Sequence, residues 1–221
     1  MERFEDDGTW VWTAVDPISK AVLAHVVGTR RQRSADDMLA RVRSRVNGIP
    51  FFVSDSLKLY SRAILTTYGR WTEHPRTGLR GRPRKPGLVP PPDLRYAQVI
   101  KHRRNGRLAE VERRTVFGSG IEPGEISTSF VERCNLSMRQ ENKRLERRTL
   151  AFSKAAAELD GQMTLYFAHF NFCRPHMSLK RKGASGRSAR RTPMMMLDVT
   201  DHVWSLQELL TFPYHNTSPC K

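Results

Sequence analysis

The sequence predicts an α/β protein, a mixed sheet flanked by helices and interrupted by a basic insertion. Three observations carry this. Short runs of β-branched, aromatic and aliphatic residues occur at Trp10–Val15, Ala21–Val27 and Ile49–Ser54. Between and after them lie segments with helical spacing of apolar residues, the longest free of Pro and Gly from Ser127 to Lys154. A stretch rich in Pro, Gly and Arg, Arg70 to Pro92, has neither period.

Trp10–Val15 and Ala21–Val27 read as a hairpin, with Asp16-Pro17-Ile18-Ser19 as its turn and Gly28 at its end. Ser34 to Val46 reads as a helix with Met38, Leu39, Val42 and Val46 on its apolar stripe, Ser34 and Asp37 at its start and Asn47-Gly48 at its stop. Ile49–Ser54 is an apolar strand closed by Asp55, and Leu57 to Tyr68 is a helix stopped by Gly69. Arg70 to Pro92 is expected to be an exposed, mobile loop. Two strand-like runs follow, Leu94–His102 and Arg107–Phe117, joined through Asn105-Gly106, a strong hairpin signal. Ala156 to Phe172 reads as a mostly apolar helix, followed by a basic Gly/Ser loop to Arg191. Short helices are expected after Thr192-Pro193 and over Ser205–Leu210. The segments expected are 1–69, a basic loop and hairpin at 70–118, a helical part at 119–210 and a tail at 211–221.

On the Ser127–Lys154 segment, at roughly 100° per residue, Val131, Cys134, Met138, Leu145 and Phe152 fall on one side. Glu132, Asn135, Arg139, Lys143 and Glu146 fall on the other. Ser127, Thr128 and Ser129 are cap candidates, and Ser129 with Glu132 would make a capping box. The polar side is either a solvated face with intrahelical ion pairs or one carboxylate presented among bases.

The chain has 38 Lys and Arg against 22 Asp and Glu, a net charge of +16. Such an excess favours a polyanionic partner, most often nucleic acid. From Arg70 to Arg114 there are 13 Lys and Arg against four acids. The candidate DNA contacts are Arg80, Arg82, Arg84, Lys85, Arg103 and Arg104, with Arg139, Lys143 and Arg174 further on. No apolar run approaches a membrane span, and MERFEDDG has no signal-peptide core, so a cytoplasmic, nucleoid-associated protein is expected. Three cysteines without paired spacing indicate neither a disulfide framework nor a zinc knuckle.

Asp55 has two readings: a metal-binding carboxylate at a strand end, or a cap for the next helix. With Glu132 it makes the kind of pair that metal-dependent phosphoryl transfer needs, carboxylates from separate elements converging on Mg²⁺ or Mn²⁺. Arg139, two turns beyond Glu132, can hold a phosphate. Asn135, one turn on, can bond the DNA backbone or a metal-bound water. His169 and His176 read as ring-packing or phosphate contacts, Met194–Met196 as core, and the four tryptophans as packing anchors, with Trp71 the most exposed.

In order along the chain, WVWTAVDPISKAVLAHVVGTR, VSDSLKLY, ISTSFVERCNLSMRQENKRLERRTLAFSK, NFCRPHMSL and RTPMMMLDVTDHVWSLQELL resemble the DDE transposases of bacterial insertion sequences, specifically the insertion-sequence-one-like group. The resemblance implies a ribonuclease-H-like fold, DNA cutting and joining with two divalent ions, DNA element ends and target as partners, and a homo-oligomer on DNA. It matches Asp55 to the family's second acid, Glu132 to its third and Arg139 to its basic residue seven positions after the Glu. The family's first acid lies on a strand preceding the stretch that resembles WVWTAVD. That strand and an N-terminal DNA-binding region are therefore expected to be missing, as in a copy truncated at its N-terminus. Asp16 is the weakest catalytic candidate, because DPIS accounts for it as a turn. Ser56 stands where the family usually has Gly. The rival expectations are a catalytically inactive nucleic-acid-binding remnant or recruited DNA-binding protein, and an unrelated RNA-binding protein; the absence of an aromatic stacking platform weakens the last.

Overall fold

The computed structural model describes residues 8–73, 85–146, 150–151, 153–182 and 188–212. It is a mixed α/β structure whose chain divides into two units, Met1–Ala14 with Ala24–Phe152, and Val15–Leu23 with Ser153–Lys221. No described helix is long and apolar enough to cross a membrane.

Strands β1 (Trp10–Val15) and β2 (Val22–Gly28) form a two-stranded sheet. Helix α1 (Gln32–Arg43) follows, then β3 (Phe52–Asp55) and α2 (Lys58–Tyr68). A three-stranded sheet has the order β3–β6–β7, with β6 at Tyr96–Arg104 and β7 at Arg107–Phe117. β3 runs parallel to β6, and β6 runs antiparallel to β7. This sheet is therefore mixed, and its helices cover an apolar core. Trp12 and Val26, Met38 and Leu39 of α1, Ala63, Ile64 and Tyr68 of α2, and Leu94 and Tyr96 form one buried cluster. Ala97, Val99 and Ile126 form a second, packed with Phe51, Val53 and Val111.

Several elements differ from the sequence reading. Helix α1 begins at Gln32, not Ser34, and Ser34 is buried within it. Its Oγ lies 2.6 Å from where a Cβ on Gly28 would stand, so Ser34 packs against the strand end instead of capping. The supposed loop from Arg70 contains an antiparallel strand pair, β4 (Arg70–Thr72) and β5 (Gly87–Val89). Three-residue strands are too short to show alternation, and Gly87 masks the second. The Asn105-Gly106 turn is as expected, with φ of 51° and 76°, the left-handed pair that a tight hairpin needs. Helix α2 stops at Gly69 for a contact reason: a Cβ there would meet the Leu65 carbonyl oxygen at 2.3 Å.

The long helix expected over Ser127–Lys154 is shorter. Helix α3 spans Ser129–Glu141, and a single 3-10 turn follows at Lys143–Leu145. Asn142 breaks the helix in an extended conformation, and its buried side-chain amide donates to the Met138 carbonyl at 2.8 Å. A polar side chain that satisfies the last turn ends a helix as surely as a glycine. The expected Ser129–Glu132 capping box does not form: Thr128 is the cap residue without a side-chain cap bond, and its Oγ1 donates instead to Glu132 Oε1.

In the second unit, α4 (Ala156–Phe172) is the long helix, and α5 (Pro193–Met196) and α6 (Leu206–Thr211) are capped by Thr192 and Ser205. The expected basic loop holds a hairpin, β8 (His176–Lys182) with β9 (Ser188–Arg191). Asn171 makes both backbone bonds of Val22, accepting its N–H at 3.0 Å and donating to its carbonyl at 2.9 Å. A buried amide used this way substitutes for a neighbouring strand.

Candidate nucleic-acid interface and carboxylate site

Sheet register places the site. Asp55 pairs with Val99, and Lys101 lies two residues further along β6. Paired residues, and residues two apart on a strand, share a face, so Asp55, Val99 and Lys101 line one side of the sheet. Two residues span about 6.6 Å, which sets Lys101 one pleat beyond the end of β3. Helix α3 delivers Glu132 to this lysine: Lys101 Nζ donates to Glu132 Oε1 at 2.5 Å, and Thr128 Oγ1 donates to the same oxygen at 2.6 Å. Partial desolvation raises the Glu132 carboxyl. The Lys101 and Thr128 hydrogen bonds and the Lys101 charge outweigh it and hold the group below the ordinary carboxylate range.

Asp55 is exposed at the end of β3, and its Oδ1 accepts the Leu57 N–H at 3.1 Å, ahead of α2. It borders an open depression of ≈ 380 Å³ with Arg30, Ser56, Leu57, Lys58 and Leu59. Its charge reaches inward. Burial, then the Asp55 carboxylate, push the Tyr60 hydroxyl well above its usual range. Beneath it runs a polar relay. Ser54 Oγ donates to the Asp55 carbonyl at 2.7 Å and lies 2.8 Å from Tyr96 Oη. Gln98 Nε2 donates to that hydroxyl at 2.8 Å, and Arg114 donates to Gln98 Oε1 at 2.8 Å. Every strand of the sheet is tied to the Asp55 end by this chain.

Asn135 accepts from Thr13 Oγ1 at 3.0 Å, which engages the polar side of α3 with β1. Arg139 is half-buried two turns beyond Glu132, and Lys143 is exposed on the following 3-10 turn. The polar side of α3 is thus not a plain solvated face. Asp16 lies in the second unit and is occupied by its own turn. Its oxygens accept the Ile18 and Ser19 N–H groups and the Ser19 hydroxyl. Arg174, in the same unit, sits 5.8 Å over the Phe170 ring. His176 packs edge-on against Phe170 at 4.6 Å, in keeping with a ring-packing role.

The basic surface described here is the β6–β7 arm. Residues 101–110 are exposed throughout. Arg103 and Arg104 lie on it, and Arg104 stands directly opposite Arg107. Lys85 is exposed, whereas Arg80, Arg82 and Arg84 lie outside the described residues. Lys101, Thr13 and Arg107 were not singled out from sequence, and Thr128 was read only as one of three cap candidates. For Lys101 the strand alternation from Val99 was the available signal; for Thr128 it was the cap position, which did not reveal the bond to Glu132; for Thr13 there was none, since its partner is remote in sequence.

Carboxylate oxygens, which Asp55 and Glu132 each offer, are the donor type that suits a hard divalent cation. Among the described residues no group of three or more His, Cys, Asp or Glu is placed to hold a metal ion. No family model, no curated protein and no solved structure matches this chain.

Proposed function

We propose that this protein acts on DNA, with a ribonuclease-H-like core and the chemistry of a DDE transposase. The observation that carries the reading is the exposed β6–β7 arm, whose basic tip extends from the sheet face that also bears Asp55 and receives Glu132. A charged two-stranded ribbon offers its cations to phosphate without burying them first, and binding by released counterions follows. Arg103, Arg104 and Arg107 would contact the DNA backbone, and Lys85, Lys143 and the arginines at 80, 82 and 84 are further candidate contacts. DNA element ends and target DNA are the partners in this reading, bound by a homo-oligomer.

Asp55 and Glu132 would hold Mg²⁺ or Mn²⁺, and such an ion would supply a Lewis acid for phosphoryl transfer. Thr128 orients the Glu132 carboxylate, the Leu57 N–H orients Asp55, and Arg139 would steady a phosphate. The engagement of Glu132 Oε1 by Lys101 Nζ and Thr128 Oγ1 favours a second reading, a nucleic-acid-binding protein without strand-transfer activity.

The test has two arms. Anisotropy with a labelled DNA duplex across a salt series should show affinity falling steeply with salt. Replacing Arg104 and Arg107 by Gln should reduce the log–log slope by up to about 1.8, two contacts at about 0.9 each. Absent or salt-independent binding would sink the DNA reading. In the second arm, joining of pre-cut DNA ends with Mn²⁺, abolished by Glu132→Ala, supports the enzyme; binding without joining selects the non-catalytic reading.

A further inference from the structure

Lys101 is the one arm cation bonded to the candidate carboxylate of α3, while Arg103, Arg104 and Arg107 at the tip are not among the partners of Glu132. It stands opposite Val111, which packs against the second apolar cluster, and its ammonium reaches Glu132 on α3. The pair is open to solvent, with side-chain exposures of 38% for Lys101 and 49% for Glu132. An ion pair that wet is held weakly and exchanges readily. Glu132 Oε1 keeps a second donor, Thr128 Oγ1, so the carboxylate stays in place when the lysine leaves.

We propose that Lys101 is a phosphate-binding residue held in reserve by Glu132. In the free protein its ammonium occupies the oxygen that a divalent cation would take. A cation at Glu132, or the loss of that carboxylate, frees Lys101 to join the arm's contact with DNA. The exchange couples occupancy of the carboxylate site to one additional phosphate contact, and it needs no movement of the sheet, because rotation about the lysine's own side-chain bonds suffices. Glu132 is paired first with the ammonium and then with the incoming cation, while the released ammonium pairs with phosphate. The inference rests on the DNA reading and on the cation at Glu132 proposed above, and adds a switchable contact to them.

The experiment is a salt series of duplex binding in metal-free buffer, with wild type, Glu132→Gln, Lys101→Gln and the double variant. Circular dichroism of each variant establishes that all are folded. The wild type should bind, and Glu132→Gln should steepen the log–log slope by about 0.9, one phosphate. Lys101→Gln should leave the wild-type slope almost unchanged, and the double variant should match Lys101→Gln. A Glu132→Gln gain that persists in the double variant would show simple relief of repulsion and overturn the proposal. So would a Lys101→Gln slope already reduced by about 0.9 in the wild-type background, because the lysine would then be on phosphate from the start. Either result leaves the DNA reading standing; failure of all four proteins to bind removes both.

Discussion

His176 shows how a single side chain sets a pH dependence. Burial, then the charges of Arg174 and Lys20, lower its imidazole below the ordinary 6.5, against a raising hydrogen bond that the ring makes to the Phe170 backbone. Well above about 6.5 the ring is neutral folded and unfolded, so the group contributes no pH dependence there. As pH falls further the unfolded chain takes the proton first, and folding stability is lost until the folded ring also protonates. His176→Phe keeps the contact with Phe170 and removes this titration. The urea midpoint of the variant should fall less than that of the wild type between about pH 7 and about pH 5; parallel losses would show the ring titrates normally. At Gly69 the constraint is steric. A methyl group would sit 2.3 Å from the Leu65 carbonyl oxygen, so Gly69→Ala should cost about 1–3 kcal/mol in thermal unfolding. A neutral result would mean the end of α2 relaxes freely.

At the level of elements, the β6–β7 hairpin sets function against stability. Arg104 and Arg107 face each other across the ladder, and like charges in that position destabilise a hairpin by a few tenths to about 1 kcal/mol. Arg107→Glu should therefore increase amide exchange protection over Lys101–Arg104 while weakening DNA binding. A change of the same sign in both would separate the tip from the contact surface. This hairpin was also the most legible part of the sequence, because Asn105-Gly106 fixes a turn by backbone sterics alone. The end of α3 was not legible. Asn142 terminates that helix through a side-chain bond to Met138, whereas apolar spacing continued through Leu145 and suggested more turns. The β4–β5 and β8–β9 pairs were lost for a related reason: cross-strand pairing is a property of two segments, and each of these segments is basic, short or interrupted by Gly or Pro.

At the scale of the whole molecule, part of the excess of cations lies on the arm and part in the Arg80–Lys85 segment. Replacing Arg80, Arg82, Arg84 and Lys85 together by Ala should flatten the salt dependence of duplex binding. An unchanged slope would assign the affinity to the arm. The candidate carboxylates were legible singly, Asp55 as a strand end and Glu132 on a helix. Their relation was not, because it depends on the parallel register of β3 with β6 and on Lys101, whose importance appears only once Val99 is set opposite Asp55.

The arm's exposure has one more consequence. Ten consecutive residues, 101–110, lie open to solvent and include Lys101, Arg103, Arg104 and Arg107. A trypsin cut at the turn would nick the chain without releasing either part, since β6 remains laddered to β3 on one side and to β7 on the other at Gln98–Arg114. The digested protein would migrate as two fragments under denaturing conditions and as one particle under native conditions.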